Sequence, residues 1–174
     1  SFFMQTPTFK SAGNMRPAIT AIITLIVGLV FLLSTYSRVN SEKELRFSLL
    51  WIYAGAIIML IWSFTQSAAW FTQGGYPAWM RDVQDFFSLG PLYRQRAAGF
   101  ALEPSWQAHM LNMLYLPLWL SAVVTGYSVS PFRLFKNISV EMILLVLGGM
   151  VLGLTFSRVG WITFAVMAAF VMIL

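Results

Sequence analysis

The residues of this sequence that could do chemistry lie between positions 94 and 112, with one further arginine at position 158. Glu103 is a candidate general base, because a carboxylate can accept the proton of an attacking hydroxyl group. Arg94, Arg96 and Arg158 are candidates for binding phosphate, because a guanidinium group keeps its charge and offers paired N–H donors. This combination suits transfer from a diphosphate-linked lipid to a hydroxyl group.

A polar stripe follows Glu103 along the next predicted helix. Ser105, His109 and Asn112 stand at positions i, i+4 and i+7, with Leu116 at i+11, so they share one helical face. Polar side chains at membrane depth tend to face the interior of a helix bundle or a wet cavity, which makes these three candidate substrate-binding residues. The alternative is hydrogen bonding between helices, and we favour that alternative for His109.

The charged candidates also have structural alternatives. Glu103 directly precedes Pro104 and could simply complement the positive end of a helix. Arg94 and Arg96 could contact lipid headgroups or form salt bridges with Asp82 and Asp85. Arg158 lies at a predicted tight turn between two membrane spans, where a charge is costly unless it is used, so its position favours a functional role.

The composition is that of a membrane protein. Of 174 residues, 59% are hydrophobic and 10% are charged, and the mean hydropathy is +0.75. The net charge of +5 comes mostly from the connections between apolar runs, so we interpret it as a set of topology determinants and predict no nucleic-acid partner. With no cysteine and a single histidine, we predict no disulfide, metal or cofactor.

The apolar runs predict an all-α, polytopic membrane protein with about five transmembrane helices in one domain, residues 1–174. We expect this domain to be part of a longer chain, because its last apolar run is too short to span a bilayer. Gly149 and Gly153 are spaced to let another helix approach closely. The predicted spans are, in order, about 17–37, 47–66, 106–127, 140–156 and 161–174.

The long connection between the second and third spans, about residues 67–105, contains a predicted amphipathic helix opened by Pro77. We expect this helix to lie in the membrane interface. Its apolar face holds Trp79, Val83, Phe86 and Phe87, and its polar face holds Arg81, Asp82, Gln84 and Asp85.

The orientation follows from the short basic loops at 38–46 and 133–136, which we place in the cytoplasm. The other side then carries the long loop and Arg158. Basic residues number five inside and six outside, together the 11 of the chain, so the count alone does not decide. We prefer this orientation because the basic residues of the short loops have no other apparent task. It puts Arg94, Arg96, Glu103 and Arg158 on one face of the membrane.

Two motifs in this arrangement resemble a known family. The segment R-x-R-A-A-G-F-A-L-E-P-S-W-Q-A at 94–108 and the segment L-T-F-S-R-V-G-W at 154–161 are similar to the core of the O-antigen ligase and polymerase family. The resemblance covers roughly residues 80–174. It implies a membrane glycosyltransferase of the bacterial inner membrane that takes a glycan from an undecaprenyl-diphosphate carrier. Transfer would reach a glycan or lipid acceptor at the periplasmic face, without a nucleotide sugar or an obligatory metal.

The resemblance also implies roles for individual residues. Arg96 and Arg158 match the diphosphate-binding arginines of the family, and the Glu-Pro-Ser sequence at 103–105 favours a polymerase over a ligase. Ligases of the family have a catalytic histidine in an outer loop beyond the Ser-Arg turn, and His109 lies elsewhere. The base is therefore Glu103 or a residue beyond Leu174.

Two other functions remain open from the sequence. A transporter or flippase would use the same arginines to recognise an anionic lipid-linked glycan without making a bond. A non-catalytic membrane scaffold is the third alternative, but it leaves the polar cluster at 94–112 without a purpose.

Overall fold

The computed structural model describes residues 15–88, 90–129, 133–135 and 138–173, and these form an all-α fold with one short antiparallel strand pair. The strands are β1 (Arg133–Phe135) and β2 (Ile138–Ser139). A π-helical turn, Leu111–Tyr115, joins α4 to α5. The α-helices are α1 (Met15–Arg38), α2 (Glu42–Gln73), α3 (Ala78–Phe87), α4 (Pro104–Met110), α5 (Leu116–Thr125), α6 (Val140–Leu154) and α7 (Arg158–Ile173).

Within the described residues, three helical stretches are long and apolar enough to cross a membrane: Ala18–Arg38, Glu42–Gln73 and Pro104–Thr125. The all-α prediction is confirmed. The other two predicted spans correspond to shorter apolar helices, Val140–Leu154 and Arg158–Val171. The second span extends beyond the predicted 47–66 at both ends, because α2 is helical from Glu42 to Gln73.

The chain divides into two compact units, Ser1–Ser48 and Leu49–Leu174. In the first unit, α2 begins with a capping box, in which Ser41 Oγ accepts a hydrogen bond from Glu44 N over 3.3 Å. Glu44 Oε2 in turn accepts from Asn40 N over 3.0 Å. The first bond satisfies a donor that the first turn of a helix leaves unpaired, and the second fixes the residue that precedes Ser41.

The core of the second unit surrounds Trp119, which is fully buried. Its ring meets Tyr53 edge-on at 6.4 Å and stacks on Tyr115 at 5.5 Å. Gly148 makes this packing possible, since a Cβ there would lie 2.6 Å from Trp119 Cζ3. Of the two predicted close-approach positions, Gly149 meets no described atom within 4 Å, whereas a Cβ at Gly153 would lie 3.3 Å from Trp161 Cζ2 of α7. The tightest contact of α6 with α5 is therefore at Gly148, one residue before the predicted Gly149.

The π-helical turn Leu111–Tyr115 changes the register of the third span. Leu116 N donates to Leu111 O, five residues earlier, where an α-helix would use the carbonyl four residues earlier. Pro117, which follows, has no N–H to donate and its ring crowds the preceding turn, so the wider turn accommodates it. The predicted stripe ends here as a result, because Leu116 is fully buried in the core.

The predicted amphipathic helix is present as α3, but the prediction that Gln84 lies on its polar face is wrong. Trp79, Phe86 and Phe87 are exposed, as expected of an apolar face outside the core. Gln84, predicted on the polar face, is buried together with Met80. The reason is a hydrogen bond that Gln84 Oε1 accepts from Trp62 Nε1 on α2 over 3.0 Å.

Glu141 is a fully buried carboxylate that no local sequence pattern singles out. It lies in the first turn of α6, where a negative charge is favoured by the helix dipole. Its oxygens accept hydrogen bonds from Val129 N over 2.8 Å and from Ser128 Oγ over 2.9 Å. These bonds attach the end of the third span to the start of α6.

Candidate functional site

The two sequence segments that carry the candidate residues meet in the structure. Ala97 N donates to Leu154 O over 2.9 Å, and Arg96 Nε donates to Thr155 O, also over 2.9 Å. The loop that precedes α4 is therefore joined to the turn between α6 and α7. Because Arg158 is the first residue of α7, the arginines at 96 and 158 belong to one end of the helix bundle.

The three candidate arginines differ in their contacts. Arg96 is half-buried and donates to Thr155 through Nε, and its two terminal nitrogens have no hydrogen-bond partner within the described residues. The Arg158 side chain is exposed and also lacks a partner in the part of the chain described. Arg94 is exposed and lines a different cavity, with Trp70 and Tyr76.

Among the described residues, Arg94 and Arg96 do not form the alternative salt bridges with Asp82 and Asp85. The ion pair found among the described residues joins Arg46 to Glu42, at 3.2 Å. Neither Asp82 nor Asp85 lies within ion-pair distance of a described arginine. The guanidinium groups near the site are therefore available to an anionic ligand.

Both joined segments contain a backbone conformation that side chains other than glycine rarely adopt. Gln95 has φ of +60° and Phe156 has φ of +49°, and both residues are exposed. These are the non-glycine residues with positive φ in the described ranges. A left-handed residue costs roughly 1–2 kcal/mol, and such strain concentrates at functional sites. The two residues flank the contact that brings Arg96 to the end of α6.

A cavity of about 760 Å³ lies beside this contact, between α4 with its π-helical turn and α7. Its lining includes Ser105, His109 and Asn112, so the structure brings the three predicted polar residues to one space. Ser157 and Val159 also line it, and these are the neighbours of Arg158. The other lining residues are Ala101, Trp106, Met110, Gly160 and Thr163.

Asn112 and His109, two of the polar residues that line the cavity, differ in their hydrogen bonds. Asn112 Nδ2 donates to Gly160 O on α7 over 2.8 Å, so the interhelical alternative holds for this residue. Its Oδ1 is buried and has no partner within the described residues. His109 is exposed and has no hydrogen-bond partner in the described part of the chain. The packing role favoured for His109 is therefore not observed, and its ring faces an open cavity.

Glu103 occupies the N-cap position of α4, but its side chain does not cap the helix. Its backbone oxygen accepts hydrogen bonds from Trp106 N over 3.0 Å and Gln107 N over 3.1 Å. The carboxylate is exposed, and Oε2 accepts from Ser105 Oγ over 3.1 Å. It is thus held beside the cavity by a cavity-lining hydroxyl group and remains accessible to a substrate.

Gln66 of α2 positions the arginine-bearing loop, a role that the sequence-based predictions do not assign to it. Its Oε1 accepts hydrogen bonds from Ala98 N and Gly99 N over 3.1 and 3.0 Å. Its Nε2 donates to Gly99 O over 3.0 Å and to Gln84 Oε1 over 3.1 Å. A glutamine inside an apolar run was the available signal, because a buried amide needs partners.

Glycine suits position 99 because the backbone there is left-handed and a Cβ would crowd the Gln107 amide. Its φ is +57°, and a Cβ at this position would lie 2.8 Å from Gln107 Cδ. Gln107 is itself fully buried, with Nε2 donating to Ser63 Oγ over 3.2 Å. The loop therefore packs directly on the amide of an α4 residue, next to the start of the cavity.

The described residues bring no three His, Asp or Glu side chains together in a group that could hold a metal ion. Among the described residues, the site offers guanidinium groups, one accessible carboxylate, one histidine and several hydroxyl and amide groups. No family model matches the chain, and neither a curated protein nor a solved structure matches it.

Proposed function

We propose that this protein is a glycosyltransferase of the bacterial inner membrane, with five spans and an active face on the periplasmic side. It transfers a glycan from an undecaprenyl-diphosphate carrier to a glycan or lipid acceptor, and we favour a polymerase over a ligase. The observation that carries the proposal is the bond between Arg96 and the α6–α7 turn. This bond brings Arg96 and Arg158 to the end of the bundle where the cavity lined by His109 opens, beside Glu103, which accepts a hydrogen bond from the cavity-lining Ser105.

The arginines are suited to hold a diphosphate. Arg96 is fixed in place through Nε, and its terminal nitrogens, which have no partner among the described residues, can make two parallel bonds to phosphate oxygens. Arg158 adds a second charge at the first turn of α7, where the helix dipole is also positive. Together they would stabilise the negative charge that develops on the leaving diphosphate.

The cavity matches the rest of such a substrate. Trp106, Met110 and Val159 supply apolar surface for an isoprenoid chain, while Ser105, His109 and Asn112 supply donors and acceptors. Ligand sites in proteins commonly combine an apolar lining with a few placed polar groups. The free Oδ1 of Asn112 and the unpaired imidazole of His109 are such groups.

The reaction requires one bond exchange and one proton transfer. The acceptor hydroxyl oxygen attacks the anomeric carbon of the donor glycan, and the bond from that carbon to the diphosphate oxygen breaks with its electron pair. The proton of the hydroxyl group passes to Glu103, whose carboxylate is exposed and oriented by Ser105. The undecaprenyl diphosphate leaves with its added negative charge held by the arginines.

The test uses the full-length protein reconstituted with lipid-linked donor and acceptor. Arg158→Lys keeps the charge and loses the planar fork, so we expect turnover to fall by about tenfold to a hundredfold. Arg38→Lys, an exposed arginine outside the site, is the matched control and should leave turnover unchanged. Normal glycan chain length and rate in Arg158→Lys would overturn the diphosphate role.

Glu103→Gln separates a transferase from a transporter. The variant should fold and bind the carrier lipid as the wild type does, but lose at least about a hundredfold in turnover because the amide cannot accept the proton. Undiminished turnover would remove Glu103 as the base. If the wild type moves lipid-linked glycan between leaflets and forms no glycosidic bond, the protein is a transporter and the proposal is wrong.

A further inference from the structure

A second cavity, of about 410 Å³, lies on the long loop between α2 and α4. Its lining joins the end of α2, one face of α3 and the segment that leads to the arginine loop. We call it the aromatic cleft and define it by Trp70, Tyr76, Arg81, Asp85 and Arg94. None of these residues lines the cavity between α4 and α7.

The two aromatic rings of the cleft form a fixed, angled surface. Their centroids are 5.6 Å apart and their planes meet at 47°. Tyr76 Oη donates to Tyr93 O over 2.6 Å, which holds the ring in place. Burial raises the pKa of the Tyr76 phenol above its usual value, so the hydroxyl stays protonated as a donor. The indole N–H of Trp70 has no partner among the described residues.

The charged groups of the aromatic cleft lie together without pairing. Arg81 Nη2 donates to Tyr76 O over 3.0 Å, and its other donors have no partner among the described residues. Asp85 follows one helical turn later on α3, yet no ion pair joins the two among the described residues. Arg94, which also lines the cleft, is exposed and lacks a partner in the described ranges. Donors and an acceptor are thus both left open to a ligand.

We propose that the aromatic cleft binds a pyranose unit of a glycan. The C–H faces of a sugar ring can stack on Trp70 and Tyr76, as apolar surfaces do on aromatic rings. Its hydroxyl groups can donate to Asp85 and accept from Arg81 and Arg94, which no purely apolar ligand could do. A phosphate alone fits less well, because it would be repelled by Asp85 and would leave both rings without use.

If the proposed transferase function is correct, on which this part of the inference rests, the glycan in the aromatic cleft is the acceptor or the growing chain. Arg94 then contacts sugar and not the diphosphate, which changes its predicted role. The cleft and the cavity that would take the donor belong to the same unit of the fold. Two sites are what a transfer reaction between two glycans needs.

The experiment measures equilibrium binding of short oligosaccharides, both neutral and containing uronic acid, to the purified full-length protein in lipid nanodiscs. Saturation-transfer NMR identifies the sugar protons that touch the protein, and titration gives the affinity. We expect Trp70→Leu and Asp85→Asn each to weaken binding by about tenfold. Phe71→Leu and Asp82→Asn, exposed neighbours outside the cleft, should change it by less than about twofold.

Binding of no oligosaccharide in the panel by the wild type would overturn the inference. So would unchanged affinity in both cleft variants, or full competition by inorganic phosphate alone, which would show an anion site. Because the probe carries no lipid or diphosphate, the result is independent of the Arg158→Lys test. Glycan binding without transferase activity would support the sugar site in the aromatic cleft and contradict the proposed transferase function.

Discussion

Replacing Gln66 with leucine should release the loop that carries Arg96. The substitution keeps a similar volume on α2 but removes the four hydrogen bonds that the amide makes. Three of these bonds satisfy the backbone N–H groups of Ala98 and Gly99 and the Gly99 carbonyl group, all of which belong to buried residues. Leucine can satisfy none of them.

The magnitude follows from the count of lost bonds. Each protein hydrogen bond contributes about 0.5–1.5 kcal/mol net, so four of them contribute about 2–6 kcal/mol. Because water can reach a relaxed loop, we expect about 2–4 kcal/mol less stability against local opening. Since about 1.4 kcal/mol corresponds to a factor of ten, the loop should open roughly 30- to 700-fold more often.

Amide hydrogen exchange, measured by mass spectrometry on the protein in nanodiscs, reads this opening directly. Peptides that cover residues 96–102 should exchange faster in Gln66→Leu by that factor. Gln73→Leu, at the exposed last residue of the same helix, is the matched control and should exchange as the wild type does. Equal exchange in Gln66→Leu and wild type, with both proteins folded, would refute the proposed clamp.

Two further predictions concern glycines, each with a paired control. Gly148→Ala should lower the unfolding temperature in detergent, at a cost of about 1–3 kcal/mol, because its Cβ would meet the Trp119 ring at 2.6 Å. Gly149→Ala, with nothing within 4 Å, should cost little, and equal shifts would refute the contact. Gly99→Ala should lower the free energy of unfolding more than Gly74→Ala, because both glycines have positive φ but only Gly99 is crowded. Equal losses of stability would mean that the cost comes from backbone strain alone.

The helical class, the apolar stretches and the amphipathic α3 could be predicted from the sequence because each depends on a local pattern. A bilayer-length run of apolar residues needs no knowledge of its neighbours to be recognised. The same holds for the stripe of Ser105, His109 and Asn112, whose spacing alone places them on one helical face. That stripe now lines one cavity.

The stripe also shows where local reasoning ends. Leu116 does not line the cavity with the other residues of the stripe, because a π-helical turn precedes Pro117. The spacing rule assumes an unbroken α-helix. Gln84 was placed on the polar face of α3 because glutamine is usually solvated, yet it is buried against Trp62. Burial of an amide depends on whether a distant residue offers a partner, which no local pattern contains.

The sequence by itself determined which residues could do chemistry and which helices would carry them, since residue type and periodicity are properties of the chain. Only the tertiary structure decided how those residues are grouped. Arg96 is joined to the turn before Arg158 by a hydrogen bond between residues 59 positions apart. Arg94 lines the aromatic cleft instead. The physical reason is that such groupings follow from backbone hydrogen bonds and packing between distant segments, which the order of residues does not express.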